Sequence, residues 1–144
     1  MFELCDFYDF CRKNDIDVIP YQNAPSEGTT VRDGNEYAIF LDFTKIQSMR
    51  LLKGVCCHEI GHAETGALHK IYSPYELVER SEYRANRWVA QNFLTEERFR
   101  EAFAAGCTEL WQLADYFDLP EDIVKSALSY WTDRRNVDFN TEDI

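Results

Sequence analysis

The segment from His58 to His62, which reads H-E-I-G-H, constrains the fold of this chain more than any other feature. Histidines four residues apart lie one turn apart on the same face of an α-helix, so both imidazoles can reach one metal ion. The segment therefore predicts a helix, which we place at residues 45 to about 69. Glu59 lies on a neighbouring strip of that helix, where its carboxylate can contact a metal-bound water without being a ligand.

The two histidines lie away from the face of this helix that the sequence marks as the core. At about 100° per residue, His58 and His62 fall on roughly the opposite side, beside Leu51 and Val55. A histidine that only filled the core would lie on the core face, so this position favours a partly apolar cleft. The predicted core face is an arc about 80° wide that contains Met49, Leu52, Cys56, Ile60, Ala63 and Ala67.

A catalytic zinc site takes three protein ligands and leaves one position open for water, so a third ligand has to come from elsewhere in the chain. Glu82 is the candidate, because it lies inside an apolar stripe where a bare carboxylate is costly unless it is paired or bound to a cation. It follows His62 by 20 residues, enough chain to lay a second helix against the first. Glu79 is the second choice, off the stripe. The stripe consists of Val78, Glu82, Ala85, Val89 and Phe93.

Glu82, Asn86 and His69 each leave two interpretations open. Glu82 could form a salt bridge instead of a metal bond. Asn86, on the same strip, either holds the outer nitrogen of a ligating histidine or is a buried amide satisfied by the main chain. His69, two turns after His62, either lines the cleft or lies on the surface. The possible salt-bridge partners of Glu82 are Arg80, Arg84 and Arg87.

The chain resembles the ImmA/IrrE family of zincin-like metallopeptidases, which pairs H-E-[IL]-G-H with a later E-x-E-A-N-x-F-A segment. The resemblance runs from about residue 37 to residue 131, and its specific part is residues 58–62 and 82–90. It implies that His58, His62 and Glu82 are zinc ligands and that Glu59 is the catalytic acid and base. Arg84 replaces the second acid of the family pattern, and Trp88 replaces the usual phenylalanine.

The resemblance also implies a role. Members of the family from mobile elements are anti-repressors, which cleave or otherwise inactivate a helix-turn-helix repressor that keeps a prophage or integrative element silent. We therefore expect a zinc endopeptidase whose partner is a protein of this kind. The alternative is a non-enzymatic regulator, in which zinc holds the helices together and the partner is inactivated by binding alone.

Two further elements of a peptidase site can be suggested from the sequence. A tetrahedral oxyanion needs a second donor, for which several side chains are available and none is preferred. The predicted strand at residues 37–42 directly precedes the histidine helix, and as an exposed edge it would align an extended substrate by strand addition. The candidate donors are Tyr72, Tyr75, Tyr83 and His69.

The rest of the chain predicts an α+β, mostly helical single domain. A helix at residues 2–14 and short strands at 17–21, 29–32 and 37–42 form an N-terminal part with a small antiparallel sheet. Everything after residue 44 is helical, and it ends in a C-terminal helical pair. We expect the domain to span residues 1–135 and the acidic tail at 136–144 to be flexible. The predicted helices after the first two cover residues 73–94, with Ser73 as the N-cap and Pro74 in the first turn, then 95–106, 108–117 and 121–131.

Charge and composition narrow the partners. The chain has 15 Lys and Arg against 26 Asp and Glu, a net charge of −11, which repels nucleic acid and anionic lipid. The longest apolar runs are much shorter than a membrane span, and the acidic N-terminus is unlike a signal peptide. We therefore expect a cytoplasmic protein that binds neither nucleic acid nor membrane.

Two features suggest other functions and are discounted. Cys56 and Cys57 adjoin His58, but neighbouring helical residues diverge by about 100°, so we interpret both as buried apolar residues and all five cysteines as reduced. The helical pair at residues 108–131 resembles a helix-turn-helix. However, residues 108–135 carry three basic against six acidic side chains, which favours a packed pair or a protein-docking surface over DNA binding.

Overall fold

A computed structural model describes residues 2–23, 26–66 and 75–140 of the chain. It confirms the α+β class, with a small sheet near the N-terminus and helices after it. No helix in the described ranges is both long and apolar enough to cross a bilayer. The elements are α1 (Leu4–Lys13), β1 (Asp17–Pro20), β2 (Gly28–Asp33), β3 (Glu36–Leu41), α2 (Met49–Thr65), α3 (Tyr75–Asn92), α4 (Glu96–Ala104), α5 (Leu110–Phe117), α6 (Glu121–Ser129) and a π-helical turn (Tyr130–Arg134).

The sheet is mixed, so the prediction of an antiparallel sheet is wrong for one of its two pairings. Strands β2 and β3 form the expected antiparallel hairpin, closed by a two-residue turn in which Gly34 has φ +62°. Strand β1 pairs with β3 in parallel, because it adds to the free side of the hairpin and runs opposite to β2. This pairing puts Val18 opposite Ile39, on the face of the sheet that the core covers.

Strand β3 is the central strand, in the order β1-β3-β2. The prediction that residues 37–42 form an exposed edge is therefore wrong, since β3 is paired on both sides. The edge next to the histidine helix is β2 instead, and its residues Gly28 and Thr30 face that helix. The order of strands depends on pairing between distant segments, which the alternation of residues within one strand does not reveal.

Helix α2 carries the H-E-I-G-H segment and is shorter at both ends than predicted. Ser48 begins it by accepting a hydrogen bond from the main-chain N–H of Leu51 (3.0 Å), and Gly66 ends it with φ +62° in the left-handed region. The predicted core face is only partly confirmed: Cys56 and Ile60 are fully buried, but Met49 in the first turn is 63% exposed. Met49 is the first residue of α2 and precedes the fully buried part of the helix, which begins at Lys53. The remaining members are half-buried (Leu52, Ala63) or outside the described residues (Ala67).

Two glycines in α2 let other parts of the chain reach its main chain. A Cβ atom at Gly61 would lie 2.7 Å from the carbonyl oxygen of Ala85, so only glycine allows α3 to cross at this distance. A Cβ atom at Gly54 would lie 2.5 Å from the ring of Pro120, the residue that precedes α6. Helices α3 and α6 are therefore both held directly against the helix that carries the motif.

The remaining helices follow the predicted order with small shifts of their ends. Thr95 caps α4 by accepting a hydrogen bond from the main-chain N–H of Arg98, as its position before two glutamates predicts. The predicted helix at residues 121–131 ends at Ser129 and continues as the π-helical turn. At the start of the predicted tail, the ring of Phe139 packs on Phe103 with centroids 5.2 Å apart. The proposed cap Ser73-Pro74 and residues 141–144 lie outside the described residues.

Candidate metal centre

The structure brings together the three residues that the sequence proposed as metal ligands. The Nε2 atoms of His58 and His62 are 3.1 Å apart. The Glu82 carboxylate approaches both, with Oε2 2.7 Å from Nε2 of His58 and Oε1 3.0 Å from Nε2 of His62. The three side chains offer one ligand atom each within 4.8 Å of one another, so the cluster could hold a metal ion.

The donor set fits a small divalent cation such as zinc. Zinc–nitrogen bonds of 2.0–2.1 Å in a tetrahedron place two nitrogen ligands about 3.3 Å apart, close to the separation of the two imidazoles. Two histidine nitrogens and one carboxylate are also a ligand combination typical of catalytic zinc sites, with a fourth position for water. The two ring nitrogens face each other at 3.1 Å, and both also contact the Glu82 carboxylate, so all three groups point to one place.

The carboxylate of Glu82 is held in its charged form. Partial burial by itself raises the pKa of Glu82, but hydrogen bonds with His58 and His62, together with their charges, outweigh it and keep the pKa well below its ordinary value. The side chain is 37% exposed, so it lies at the mouth of the cleft and not deep inside an apolar stripe. A carboxylate that is already ionised can bind a cation without first losing a proton.

Three side chains that the sequence offers as alternatives, one as a ligand and two as salt-bridge partners of Glu82, have other surroundings. Glu79 lies on an exposed part of α3 and is not a member of the cluster among the described residues. Arg84, proposed as a salt-bridge partner of Glu82, donates a hydrogen bond to the carbonyl oxygen of Thr65 (3.0 Å) and so ties α3 to the end of α2. The guanidinium of Arg87 lies 5.8 Å from the ring centre of Tyr83.

The outer nitrogen of His62 lies near a residue that the sequence did not suggest. Ser81 is buried, and its Oγ is 3.5 Å from Nδ1 of His62. With a metal on Nε2, the Nδ1–H of His62 would point toward this hydroxyl, which would fix the tautomer of the ring. Asn86, proposed for that role, lines the cleft instead. Ser81 precedes the ligand Glu82 directly, but a single serine in a helix gives no periodic signal that would identify it.

Glu59 is buried beside the metal cluster and is held by the edge strand β2. Its side chain is 5% exposed, and its Oε2 accepts a hydrogen bond of 2.5 Å from the hydroxyl of Thr30. The same hydroxyl lies 3.2 Å from the main-chain oxygen of Glu59. Gly28 supports the other side, since a Cβ atom there would lie 3.1 Å from Cγ of Glu59. Sequence reasoning missed both Thr30 and Gly28, because their contacts with Glu59 join segments 29 or more residues apart.

A cleft of about 540 Å³ contains the metal cluster and Glu59. Helix α2 is its floor, and the lining residues of this helix fall in one arc of about 140°. Gly54 lies at one border of the arc, against Pro120, and Glu59 lies at the other, against Thr30. The two walls are therefore α6 and β2, and α3 adds Glu82 and Asn86. The lining residues of α2 are Leu51, Gly54, Val55, His58, Glu59 and His62. The prediction that the histidines face a partly apolar cleft is confirmed.

The cysteines next to the motif are packing residues. Cys56 and Cys57 are fully buried, and Cys56, Cys57 and Cys11 are all free thiols. Burial raises the pKa of Cys56 to about 12 and of Cys11 to about 11, and it raises the pKa of Cys57 as well. Thiols with raised pKa values stay protonated at neutral pH and are poor metal ligands. The interpretation of this pair as buried apolar residues is confirmed.

The candidate oxyanion donors do not form a group in the described residues. Tyr83 lies on the exposed side of α3, where the guanidinium of Arg134 is 5.0 Å from its ring centre, and it does not line the cleft. Tyr72 and His69 lie outside the described residues, as does the side chain of Tyr75.

Comparisons of the chain with protein-family models, with curated proteins and with solved structures found no match. The resemblance to the ImmA/IrrE family thus rests on the two motifs themselves. The geometry supports a metal site without reference to that family, because two imidazoles, a carboxylate and a buried glutamate surround one cleft.

Proposed function

We propose that this protein is a zinc-dependent endopeptidase. The observation that supports it best is the convergence of His58, His62 and Glu82 on one point, with Glu59 buried on the same cleft and outside the cluster. A purely structural metal site has four protein ligands, whereas three ligands leave a position for water. A nearby carboxylate that is not a ligand is the group that a hydrolytic site needs as its base.

The chain's own residues would carry out the proton transfers. A zinc ion held by the three ligands would lower the pKa of a coordinated water and polarise the carbonyl of a bound peptide. Glu59 accepts the proton of the attacking water and later donates it to the leaving amine. Thr30 donates a hydrogen bond to Oε2 of Glu59, which leaves Oε1 available to exchange the proton.

The edge of β2 is the natural place for an extended substrate. In the β2–β3 register the main-chain groups of Gly28, Thr30 and Arg32 point away from β3. Gly28 and Thr30 are also lining residues of the cleft. A peptide that adds to this edge would lie over α2, next to Glu59. We therefore expect an extended substrate to add to the edge of β2 and not to residues 37–42.

The proposed target is a regulatory protein, namely a helix-turn-helix repressor of a prophage or another mobile element, and the protein would act as an anti-repressor in the cytoplasm. This part follows from the resemblance. The net charge of −11 is compatible with it, because an acidic protein is repelled by DNA and would meet the repressor as a protein partner. We expect no mobility shift of operator DNA by this chain alone at about 0.1 M salt.

A binding-only regulator is the second candidate, and one observation favours it. The three ligands come from two helices, so a metal would tie α2 to α3 whether or not catalysis occurs. In this case the metal would stabilise a surface that captures the repressor. Metal content does not separate the two candidates, since both bind the ion.

The separating experiment is the substitution Glu59→Gln, which keeps the size of the side chain and all three ligands. The zinc-loaded variant and the wild type are each incubated with a helix-turn-helix repressor of a mobile element, and fragments are measured by mass spectrometry. A peptidase loses at least about a hundredfold in cleavage rate in the variant, with zinc content and thermal stability unchanged. If Glu59→Gln relieves repression in cells as well as the wild type does, proteolysis is not the mechanism and the binding-only candidate replaces it.

A further inference from the structure

We propose that the part of the cleft between α2 and α6 is a specificity subsite for a peptide segment in which a large apolar side chain adjoins a lysine or arginine. The inference rests on the proposed peptidase function and names the kind of segment that the cleft accepts. It assigns a role to the C-terminal helical pair, which the chemistry at the metal does not use.

The subsite has an apolar surface. Leu51 and Val55 of α2 and Ile123 of α6 all line the cleft, and Pro120 closes it where α6 begins. Leu51 and Ile123 are only half-buried, so their side chains present apolar surface to the cleft. Covering such surface with a leucine-sized side chain removes apolar area from water on both partners. The cleft therefore favours a bulky apolar residue over alanine.

The rim of the cleft at this subsite carries two acidic side chains, Asp122 on the α6 wall and Glu27 across from it on the β2 wall. Glu27, from the segment before β2, and Asp122, from the first turn of α6, are both exposed and both line the cleft. Among the described residues neither carboxylate pairs with a lysine or arginine, and none of the described lining residues is one of these. One oxygen of Asp122 accepts a 2.9 Å hydrogen bond from the main-chain N–H of Ile123, which keeps the carboxylate next to the apolar surface. A cationic side chain beside the apolar one is thus favoured, and an acidic one is repelled.

The α6 wall is held in place before any peptide binds. The ring of Pro120 packs directly on the main chain of α2 at Gly54, where a Cβ atom would come within 2.5 Å of it. Helix α6 starts at the next residue, so Asp122 and Ile123 follow this contact within one turn. A wall that is already fixed selects among peptides without losing binding energy to its own rearrangement.

The test measures peptide binding, because binding does not depend on cleavage. Three labelled octapeptides share an alanine-serine background: the first has leucine beside lysine, the second alanine beside lysine, and the third leucine beside glutamate. Each is titrated into the zinc-loaded Glu59→Gln protein and followed by fluorescence anisotropy. The leucine-lysine peptide is expected to bind about tenfold more tightly than either of the others. Equal affinity for the leucine-lysine and leucine-glutamate peptides, or no binding of any peptide, overturns the subsite.

Variants of the subsite in the same Glu59→Gln protein locate the effect. The double substitution of Glu27→Gln and Asp122→Asn is expected to reduce the preference for lysine over glutamate to about twofold or less. Ile123→Ala is expected to reduce the preference for leucine over alanine in the same way. Glu121→Gln is the matched control, since Glu121 neighbours Asp122 on α6 but does not line the cleft, and it should leave both preferences unchanged. An equal effect of Glu121→Gln and Asp122→Asn would show a general charge effect and overturn the assignment.

Cleavage of the leucine-lysine peptide by the wild-type protein is then measured separately. Selective binding without cleavage refutes the peptidase but leaves the subsite intact as a peptide-binding site. Cleavage of all three peptides at equal rates refutes the subsite but leaves the peptidase intact. If Ile123→Ala does not fold, the substitutions at the exposed positions Glu27 and Asp122 still decide the outcome.

Discussion

The hydroxyl of Thr30 on the edge strand lies 2.5 Å from Oε2 of Glu59 on the motif helix. This contact joins the small sheet to one border of the cleft floor, and both residues are almost fully buried. A hydrogen bond from the hydroxyl to one oxygen fixes the plane of the carboxylate. A general base needs a fixed orientation because it takes a proton from the water and then donates it to the leaving group.

The first prediction concerns Thr30. Thr30→Val keeps the shape of the side chain but removes the donor, so kcat should fall about tenfold or more with little change in KM. Thr30→Ser keeps the hydroxyl and should restore most of the activity. Steady-state kinetics on a cleaved peptide give both constants. A valine variant as active as the serine variant would show that the contact only packs the strand on the helix.

The second prediction concerns the metal. The purified protein should hold about one zinc per chain with nitrogen and oxygen ligands only, and a chelator should lower its thermal stability because the ligands join two helices. His58→Ala, His62→Ala and Glu82→Ala should each lose most of the zinc. Metal analysis and X-ray absorption measure these quantities. Glu79→Ala is the control and should keep its zinc, and a sulfur neighbour in the absorption spectrum would contradict the ligand set.

The third prediction concerns the crossing of α2 and α3. Gly61→Ala would place a methyl group 2.7 Å from the carbonyl oxygen of Ala85, and a main-chain atom cannot move aside cheaply. The free energy of unfolding should fall by about 1–3 kcal/mol, and zinc affinity should fall with it because Glu82 lies one turn before Ala85. Urea denaturation with and without zinc tests this. Glu64→Ala, at an exposed position of the same helix, should change stability by less than about 0.5 kcal/mol.

The fourth prediction concerns an ion pair away from the cleft. Lys53 is buried in α2, and its Nζ lies 3.0 Å from Asp118, which follows α5 in the left-handed conformation. Asp118→Asn keeps that backbone conformation but removes the charge, so it should lower the free energy of unfolding by about 1 kcal/mol at neutral pH. Asp115→Asn, which loses only an exposed pair with Arg50, should have a smaller effect.

The effect of Asp118→Asn should depend on pH in a defined direction. Hydrogen bonds from Lys53 and Arg50 lower the pKa of Asp118 below its ordinary value of 3.8. The stabilisation is therefore complete above about pH 5 and is lost as the pH falls through the lowered, native-state pKa. The difference between thermal melts of the wild type and the variant should shrink as the pH falls from 7 to 3. A constant difference across this range would contradict the role of the charge.

Much of the site could be predicted from the sequence because its main elements are helical. The four-residue spacing of His58 and His62 determines their shared face, and the stripe through Glu82 identifies which side of α3 meets α2. The contacts that could not be predicted join distant segments through residues without a periodic signature. Thr30 is one hydroxyl in a short strand. The sequence of the C-terminal helices indicates a packed pair or a protein-docking surface, but it does not reveal that α6 lines the cleft. A helical wheel treats all turns of a helix alike and so places Met49 on the core face, whereas Met49 begins α2 and is 63% exposed.

Gly54 acts as a spacer that sets how wide the cleft can be. Because Pro120 rests on the bare main chain at this position, any larger residue there has to push the start of α6 outward. A series of substitutions at this single position, from alanine to serine to valine, would open the cleft in steps while every ligand and every other lining residue stays the same. Cleft width could thus be varied independently of the metal centre, a means of retargeting the protein to bulkier peptides without redesigning its chemistry.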